Sequence, residues 1–196
     1  MSWPPESHAE GTCGGGGAAL IFMVNHRFDA RSGDAWGRYV AWSGHRHLRE
    51  VVTTDPMLCA PLIETLTAED WAHNIHQDYR THFFGDFSYL LGRAGFDAAH
   101  HNLLAVIEEP RRCPALPPGF EFCGYDVIDS DDAISVLLNC GGFPAIFSSN
   151  DLNPLGLIDG LGRALEIAAA LRRQHGEDAH CEQCHVWGIA RYVIGF

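Results

Sequence analysis

The chain has 196 residues, enough for one well-buried core, and all 13 of its basic side chains are arginine. The absence of lysine excludes P-loop phosphate binding, Schiff-base chemistry with pyridoxal phosphate and kinase-type phosphate transfer. A formal net charge of -12 argues against nucleic acid and anionic membranes as partners, and it favours a basic protein or peptide.

The amino-terminal residues 1–17 are rich in glycine and proline and have little side chain to bury. We therefore predict a flexible lead-in followed by a single domain over residues 18–196. The apolar run 18–24 predicts a strand that is covered on both faces. It is too short to cross a membrane and follows acidic residues, so we expect no secretory signal. Seven cysteines without regular spacing favour reduced thiols and a cytoplasmic location.

Two helices are predicted in the next part of the chain, a short one over residues 34–42 and a long one from Thr67 to about Arg93. A capping box formed by Thr67 and Asp70 marks the start of the long helix. Apolar residues at four-residue spacing then place Trp71 in the core. We therefore expect this helix to be one of two that pack on the sheet.

Three histidines lie on this predicted helix. His73 and His76 fall on its polar side, whereas His82 falls on the apolar side, so the three cannot form one site. His73 and His76 could bind a metal ion together with a neighbouring aspartate. Solvated histidines on a helix surface are the more common reading of such a pair.

Strand and helix patterns alternate in the rest of the chain. The predicted strands are 103–107, 120–128 and 186–194, and the clearest helix is 158–174. Residues 129–132 predict a turn, and 134–140 fit either a returning strand or a short buried helix. The sequence therefore predicts a single α+β domain with a mainly antiparallel sheet and two principal helices.

The densest set of metal-ligating side chains is His180, Cys181, Cys184 and His185. The two cysteines have the spacing of a zinc knuckle, but a structural zinc site usually needs a second such pair, and the sequence contains none. If Cys184 and His185 begin a strand, they point to opposite faces. A redox dithiol would need a helix after the motif. Zinc bound by this set is thus an alternative to two small buried thiols.

A group of acids surrounds the predicted turn: Asp129, Asp131 and Asp132, with Asp126 in the strand before it. Clustered carboxylates can share protons or bind hard cations, but the calcium-loop spacing is not met. Turn chemistry alone explains the three later acids, and we expect them to be exposed and available for binding a partner. Asp126 lies within a strand pattern and needs a partner, for which we expect an arginine.

Cys140 is the best lone nucleophile because it precedes a glycine turn whose N–H groups could hold an oxyanion. It lacks the surroundings of known cysteine protease motifs, and a buried structural cysteine is the more common case. Four further histidines, His45, His47, His100 and His101, lie in pairs in loops or at element ends, which makes them weaker candidates for a metal site.

The order of short motifs after residue 124 resembles a pattern found in small uncharacterised bacterial proteins. These motifs are 124–129, 135–141, 152–153, 156–158, His180 and 186–189. Some of those proteins are immunity-like, which implies inhibition of a toxin made by the same cell. The motifs are non-catalytic and transfer no functional residue. Relatives often have other residues in place of Cys181 and Cys184, which lowers the case for zinc.

These observations favour a protein that binds another macromolecule over an enzyme. The expected role is an immunity-type inhibitor, or a partner subunit that presents a peptide to an enzyme within a hetero-complex. The rival interpretation is a zinc-binding domain or metalloenzyme built on His180, Cys181, Cys184 and His185. Thiol catalysis by Cys140 is the third.

Overall fold

The computed structural model describes residues 20–74, 82–112, 115–129, 132–139 and 145–193. Six strands are found in this part of the chain: β1 (Leu20–His26), β2 (Phe28–Asp29), β3 (Glu50–Val51), β4 (His101–Glu108), β5 (Phe120–Asp129) and β6 (Cys184–Tyr192). The helices are α1 (Asp34–Ser43), α2 (Ala68–His73), α3 (Phe87–Ala94), α4 (Val136–Asn139), α5 (Leu161–Gln174) and α6 (Ala179–Glu182).

Four of the strands form one antiparallel sheet in the order β1-β4-β6-β5, and β2 pairs with β3. This arrangement confirms the predicted α+β fold with a mainly antiparallel sheet. The flexible lead-in predicted for 1–17 lies outside the described residues. No helix in the described part of the chain is both long enough and apolar enough to cross a membrane.

The two faces of the sheet are buried in different ways. On one face, α3 packs on the β1 side through Leu90, and α5 packs on the β5 side through Ile167 and Leu171. On the other face, Trp187 lies in a cluster with residues from the connecting segments, among them Phe83. Since the strands are covered on both faces, their central residues are almost all apolar, as the sequence patterns predicted.

Both edge strands of the sheet have hydrogen bonds to segments outside it. Phe22 of β1 exchanges two backbone hydrogen bonds with Phe84, each 2.8 Å long. Tyr125 of β5 exchanges two with Ile158, at 2.8 and 2.9 Å. A bulge in β5 lies beside the second contact, and there Gly124 has a φ of 141°. A Cβ atom on Gly124 would lie 2.7 Å from the Cβ of Leu157, so only glycine lets this segment approach β5 so closely.

The long helix predicted from Thr67 to about Arg93 is wrong. The capping box is present, but α2 ends at His73, because Asn74 is extended and forms a bridge with Phe84. A new helix, α3, begins after Asp86, whose side chain accepts a hydrogen bond from the Tyr89 N–H. The prediction that Trp71 lies in the core is also wrong, since this residue is 38% exposed.

The other predicted elements are closer to the structure. Of the two alternatives for 134–140, the short helix is confirmed as α4, and the Ser135 hydroxyl accepts a hydrogen bond from Leu138 N–H at 3.2 Å. The clearest predicted helix is α5, which begins at Leu161 because Ile158 pairs with β5. The last strand begins at Cys184, two residues earlier than predicted.

Candidate functional site

Three of the side chains singled out in the sequence meet where β5 ends. Asp129 is the last residue of β5, Asp132 follows in the turn, and His180 lies on α6. His180 Nδ1 is 2.6 Å from Asp129 Oδ2, and one ligand atom from each of the three residues lies within 4.8 Å of the others. We call these residues the Asp–His cluster.

Two of the three acids that were predicted to be exposed are described by the structure, and they differ in exposure. Asp132 is exposed, whereas the Asp129 side chain is only 4% exposed, so the prediction is wrong for Asp129. Its carboxylate faces inward because His180, which lies far from it in sequence, holds it there. Asp131 lies outside the described residues. Asp129 therefore supports the local structure, and Asp132 remains available at the surface.

Negative charge dominates the surroundings of His180. The hydrogen bond to the Asp129 carboxylate raises the pKa of this histidine, and the charges of Asp178 and Asp132 add to that effect. Asp178 also caps α6, where its carboxylate accepts a hydrogen bond from the His180 N–H at 3.0 Å. Exposed Glu182 lies on the same helix. We call Asp132, Asp178 and Glu182 the acidic face.

The four predicted zinc ligands are not brought together by the fold. Within the part of the chain that the structure describes, no three of them place their ligand atoms within 4.8 Å of one another. Burial raises the pKa of the Cys181 and Cys184 thiols to about 11, so both are protonated at neutral pH. His185 is partly exposed and its Nδ1 lies 3.1 Å from Glu109, on the opposite face of β6 from buried Cys184.

The remaining residues that the sequence suggested as ligands or nucleophiles form no further metal site among the described residues. Cys140 and His76 lie outside the described residues. His73 is partly exposed, and its ring stacks on that of Tyr89 with the two centroids 3.9 Å apart. This histidine therefore has a packing role.

A second polar cluster, not predicted from the sequence, lies under the sheet around Asp126. This residue is fully buried, and its carboxylate accepts hydrogen bonds from Thr53 Oγ1 at 2.7 Å and from Ser135 Oγ at 2.8 Å. The prediction of an arginine partner for Asp126 is therefore wrong, because two hydroxyl groups donate to its carboxylate instead. Burial raises the pKa of Asp126 to about 7, against the effect of these hydrogen bonds.

Asp55 is the second buried carboxylate of this cluster. Its Oδ2 accepts hydrogen bonds from Ser135 N–H at 3.0 Å and Asn139 Nδ2 at 2.9 Å, and burial raises its pKa as well. Asp55 and Asp126 thus both bind Ser135, at the start of α4. No sequence pattern indicates this pairing, because Asp55 lies in a loop 80 residues before Ser135. Two buried acids that share a neighbour can hold a proton at neutral pH.

The comparisons with known proteins add no relative. No protein-family model matches the chain, and neither the curated proteins nor the solved structures contain a significant match to it.

Proposed function

We propose that the protein binds a basic protein or peptide through the acidic face. Its role would be that of an immunity-type inhibitor, or of a partner subunit that presents a peptide to an enzyme in a hetero-complex. The observation that carries the proposal is the convergence of exposed Asp132 and Asp178 on His180. Buried Asp129 offsets the charge of a protonated His180, so the charges of the exposed acids are left to act on a partner.

Three further features support this proposal. The net charge of -12 attracts basic partners over a distance and raises their rate of encounter. Four cysteines in the described residues, Cys59, Cys123, Cys181 and Cys184, are free thiols, which suits the proposed cytoplasmic location. The resemblance of residues 124–189 to small bacterial proteins, some of them immunity-like, points in the same direction.

The test compares two double charge reversals that change the net charge equally. One variant carries Asp132→Arg and Asp178→Arg on the acidic face. The control carries Glu64→Arg and Glu121→Arg, which are also exposed. Glu121 lies eight residues from Asp129 along β5, a distance of about 26 Å. The probe is an arginine-rich peptide, and stopped-flow fluorescence measures its association rate.

We expect the reversal on the acidic face to slow association about tenfold and the control to slow it much less. Raising the salt concentration from about 50 to 500 mM should slow association more than it speeds dissociation, because screening acts on the encounter. Equal effects of the two variants would mean that the net charge alone attracts the peptide and that the acidic face is not the binding surface.

A second candidate function is the binding of a divalent cation such as zinc by the Asp–His cluster. The observation that favours it is the spacing of Asp129, Asp132 and His180 within 4.8 Å. Two carboxylates and one imidazole are suitable zinc ligands. The cation would have to displace the proton on His180, so binding should strengthen as the pH rises.

Calorimetric titration with zinc distinguishes this site from the four ligands predicted in the sequence. Asp132→Asn should remove binding if the Asp–His cluster is the site. A double change of Cys181→Ser and Cys184→Ser should remove it if the cysteines are ligands. Zinc binding that survives both changes would contradict both assignments.

A further inference from the structure

Ser149 and His45 form a close contact that belongs to none of the sites described above. Ser149 begins a short 3-10 turn that ends at Asp151, and His45 follows the glycine that ends α1. Ser149 Oγ lies 2.8 Å from His45 Nδ1. A hydroxyl group within hydrogen-bond distance of a ring nitrogen is the first requirement for a nucleophile with its general base.

The direction of this hydrogen bond is the second requirement, because a base must present its unprotonated nitrogen to the nucleophile. A neutral imidazole has one such nitrogen. In the tautomer with its proton on Nε2, Nδ1 is an acceptor and the Ser149 hydroxyl donates to it.

The protonation state of His45 is also suited to a base. Burial lowers the pKa of this histidine, with a smaller contribution from His47, and together they outweigh the raising effect of the Leu137 backbone. The ring is therefore neutral at pH 7. His45 is 7% exposed, whereas Ser149 is partly exposed. A reagent can therefore reach the hydroxyl group while the imidazole is shielded from solvent.

The turn that carries Ser149 is held in place from both sides. Asp151 Oδ2 accepts a hydrogen bond from the Ser148 N–H at 2.8 Å, which closes the turn. Arg163 of α5 donates to Asp151 Oδ1 at 2.8 Å and to the Ile146 carbonyl at 3.0 Å. A nucleophile needs such a fixed position, because its attack geometry is lost when the supporting residues move.

We propose that Ser149 is a nucleophile, activated by His45, that accepts the acyl group of a carboxylic ester. Ser149 Oγ attacks the carbonyl carbon while His45 Nδ1 takes the hydroxyl proton. The bond to the alcohol oxygen then breaks, and that oxygen leaves with the proton from Nδ1. Water releases the acyl group by the same path: its proton passes to Nδ1 and then to Ser149 Oγ, so ester and water give acid and alcohol.

The charges around the imidazole indicate which esters can react. Among the described residues no carboxylate pairs with His45, and such a carboxylate is what stabilises the positive ring in a complete triad. The pair therefore suits esters with a good leaving group, such as aryl esters, rather than amides.

The test uses the full-length protein and a fluorophosphonate probe, whose fluoride leaves when a serine oxygen bonds to phosphorus. Mass spectrometry of peptides from the labelled protein identifies the modified residue. We expect the label on Ser149 and not on its exposed neighbour Ser148. Unfolding in urea should abolish labelling, because it separates the serine from its base, and this comparison requires no variant.

Variants then test the role of His45. Ser149→Ala should remove labelling, whereas Ser88→Ala, an exposed serine on α3, should leave it unchanged. His45→Gln should lower the labelling rate about 100-fold. In the unchanged protein the rate should be constant above the ordinary titration range of an imidazole, about pH 6.5, and fall at lower pH as His45 gains a proton. The same variants should act equally on hydrolysis of 4-nitrophenyl acetate.

Labelling at another residue, an equal rate in native and unfolded protein, or a rate that ignores His45→Gln would overturn the proposal. If a variant fails to fold, the comparison of native and unfolded protein at several pH values decides the matter. Loss of binding by the acidic face would leave this result unaffected, since the two sites share no residue.

Discussion

Thr53 and Asp126 lie 73 positions apart in the chain and share a 2.7 Å hydrogen bond inside the fold. The hydroxyl group of Thr53 donates to a carboxylate that is fully buried beneath the sheet. This contact joins the loop after β3 to the centre of β5. Its strength depends on whether Asp126 is ionised, so the connection responds to pH.

Replacing Asp126 with asparagine should change how stability depends on pH. Burial raises the pKa of Asp126 to about 7, whereas an aspartate in the unfolded chain titrates near about 4. Since the folded state holds the proton more tightly, Asp126 favours folding below pH 4, and this contribution is lost as the pH rises to about 7. Urea unfolding between pH 4 and 8 should therefore show a smaller decline for Asp126→Asn than for the unchanged protein. An identical decline would show that Asp126 does not titrate in this range.

Asp70 should show the opposite dependence on pH. Burial would raise its pKa, but hydrogen bonds from Thr67, Tyr89 and Arg93 outweigh burial and lower it to about 2. The stability that Asp70 contributes is present above about pH 4 and is lost as the pH falls to about 2. Asp70→Asn should cost about 2 to 3 kcal/mol at pH 7, and Tyr89→Phe about 1 kcal/mol. Acid titrations followed by circular dichroism would check both, and equal acid resistance in Asp70→Asn and unchanged protein would contradict the assignment.

Glu50 should be among the most sensitive positions for stability. Its side chain is 6% exposed and accepts hydrogen bonds from Arg27 at 2.8 Å, from Arg191 at 2.9 Å and from Asn102 at 2.9 Å. Glu50→Ala leaves these donors without their shared acceptor, so we expect a loss of about 3 to 5 kcal/mol in the free energy of unfolding. Glu121→Ala is a control at an exposed glutamate and should cost under about 0.5 kcal/mol. Similar losses in both variants would rule out a special role for Glu50.

The two tryptophans Trp71 and Trp187 should differ sharply. Trp187 is 1% exposed and packs edge-to-face on Phe83, with ring centroids 5.8 Å apart, whereas Trp71 is 38% exposed. We expect Trp187→Ala to cost about 3 to 5 kcal/mol and Trp71→Ala less than about 1 kcal/mol. Thermal and urea unfolding of both variants would check this. A large loss at Trp71 would restore the core position that the periodic pattern suggested.

The fold was predicted best where each segment carries its own pattern. The core positions of α5 repeat at three or four residues, and the apolar runs of β1 and β4 have the length of buried strands, so local sequence was enough. The prediction of the long helix failed because the apolar spacing continues past Asn74, whereas the helix ends there and Asn74 forms a bridge with Phe84. That bridge depends on tertiary pairing, which a helical period does not reveal.

The candidate sites were harder to predict than the fold. His180 and Asp132 could be singled out as polar residues near turns, but the inward direction of Asp129 depends on a histidine 51 positions away. The contact of Ser149 with His45 spans 104 positions, and two loop residues of these types carry no periodic signal. Sequence identified His180 and the acids near the turn as candidates, but it did not single out Ser149 or Asp55, and the fold decided which residues meet.

The hydrogen bonds of Phe22 with Phe84 and of Tyr125 with Ile158 also limit how the molecule can meet another chain. At these positions the backbone groups of both edge strands are already taken, so an incoming peptide cannot extend the sheet there as an extra strand. Recognition by backbone pairing tolerates almost any sequence, whereas recognition by side chains does not. The basic partner proposed above would therefore be recognised through its side chains, and we expect substitutions of its basic residues to weaken the complex. At the same two positions, the backbone offers no template to a second copy of the chain.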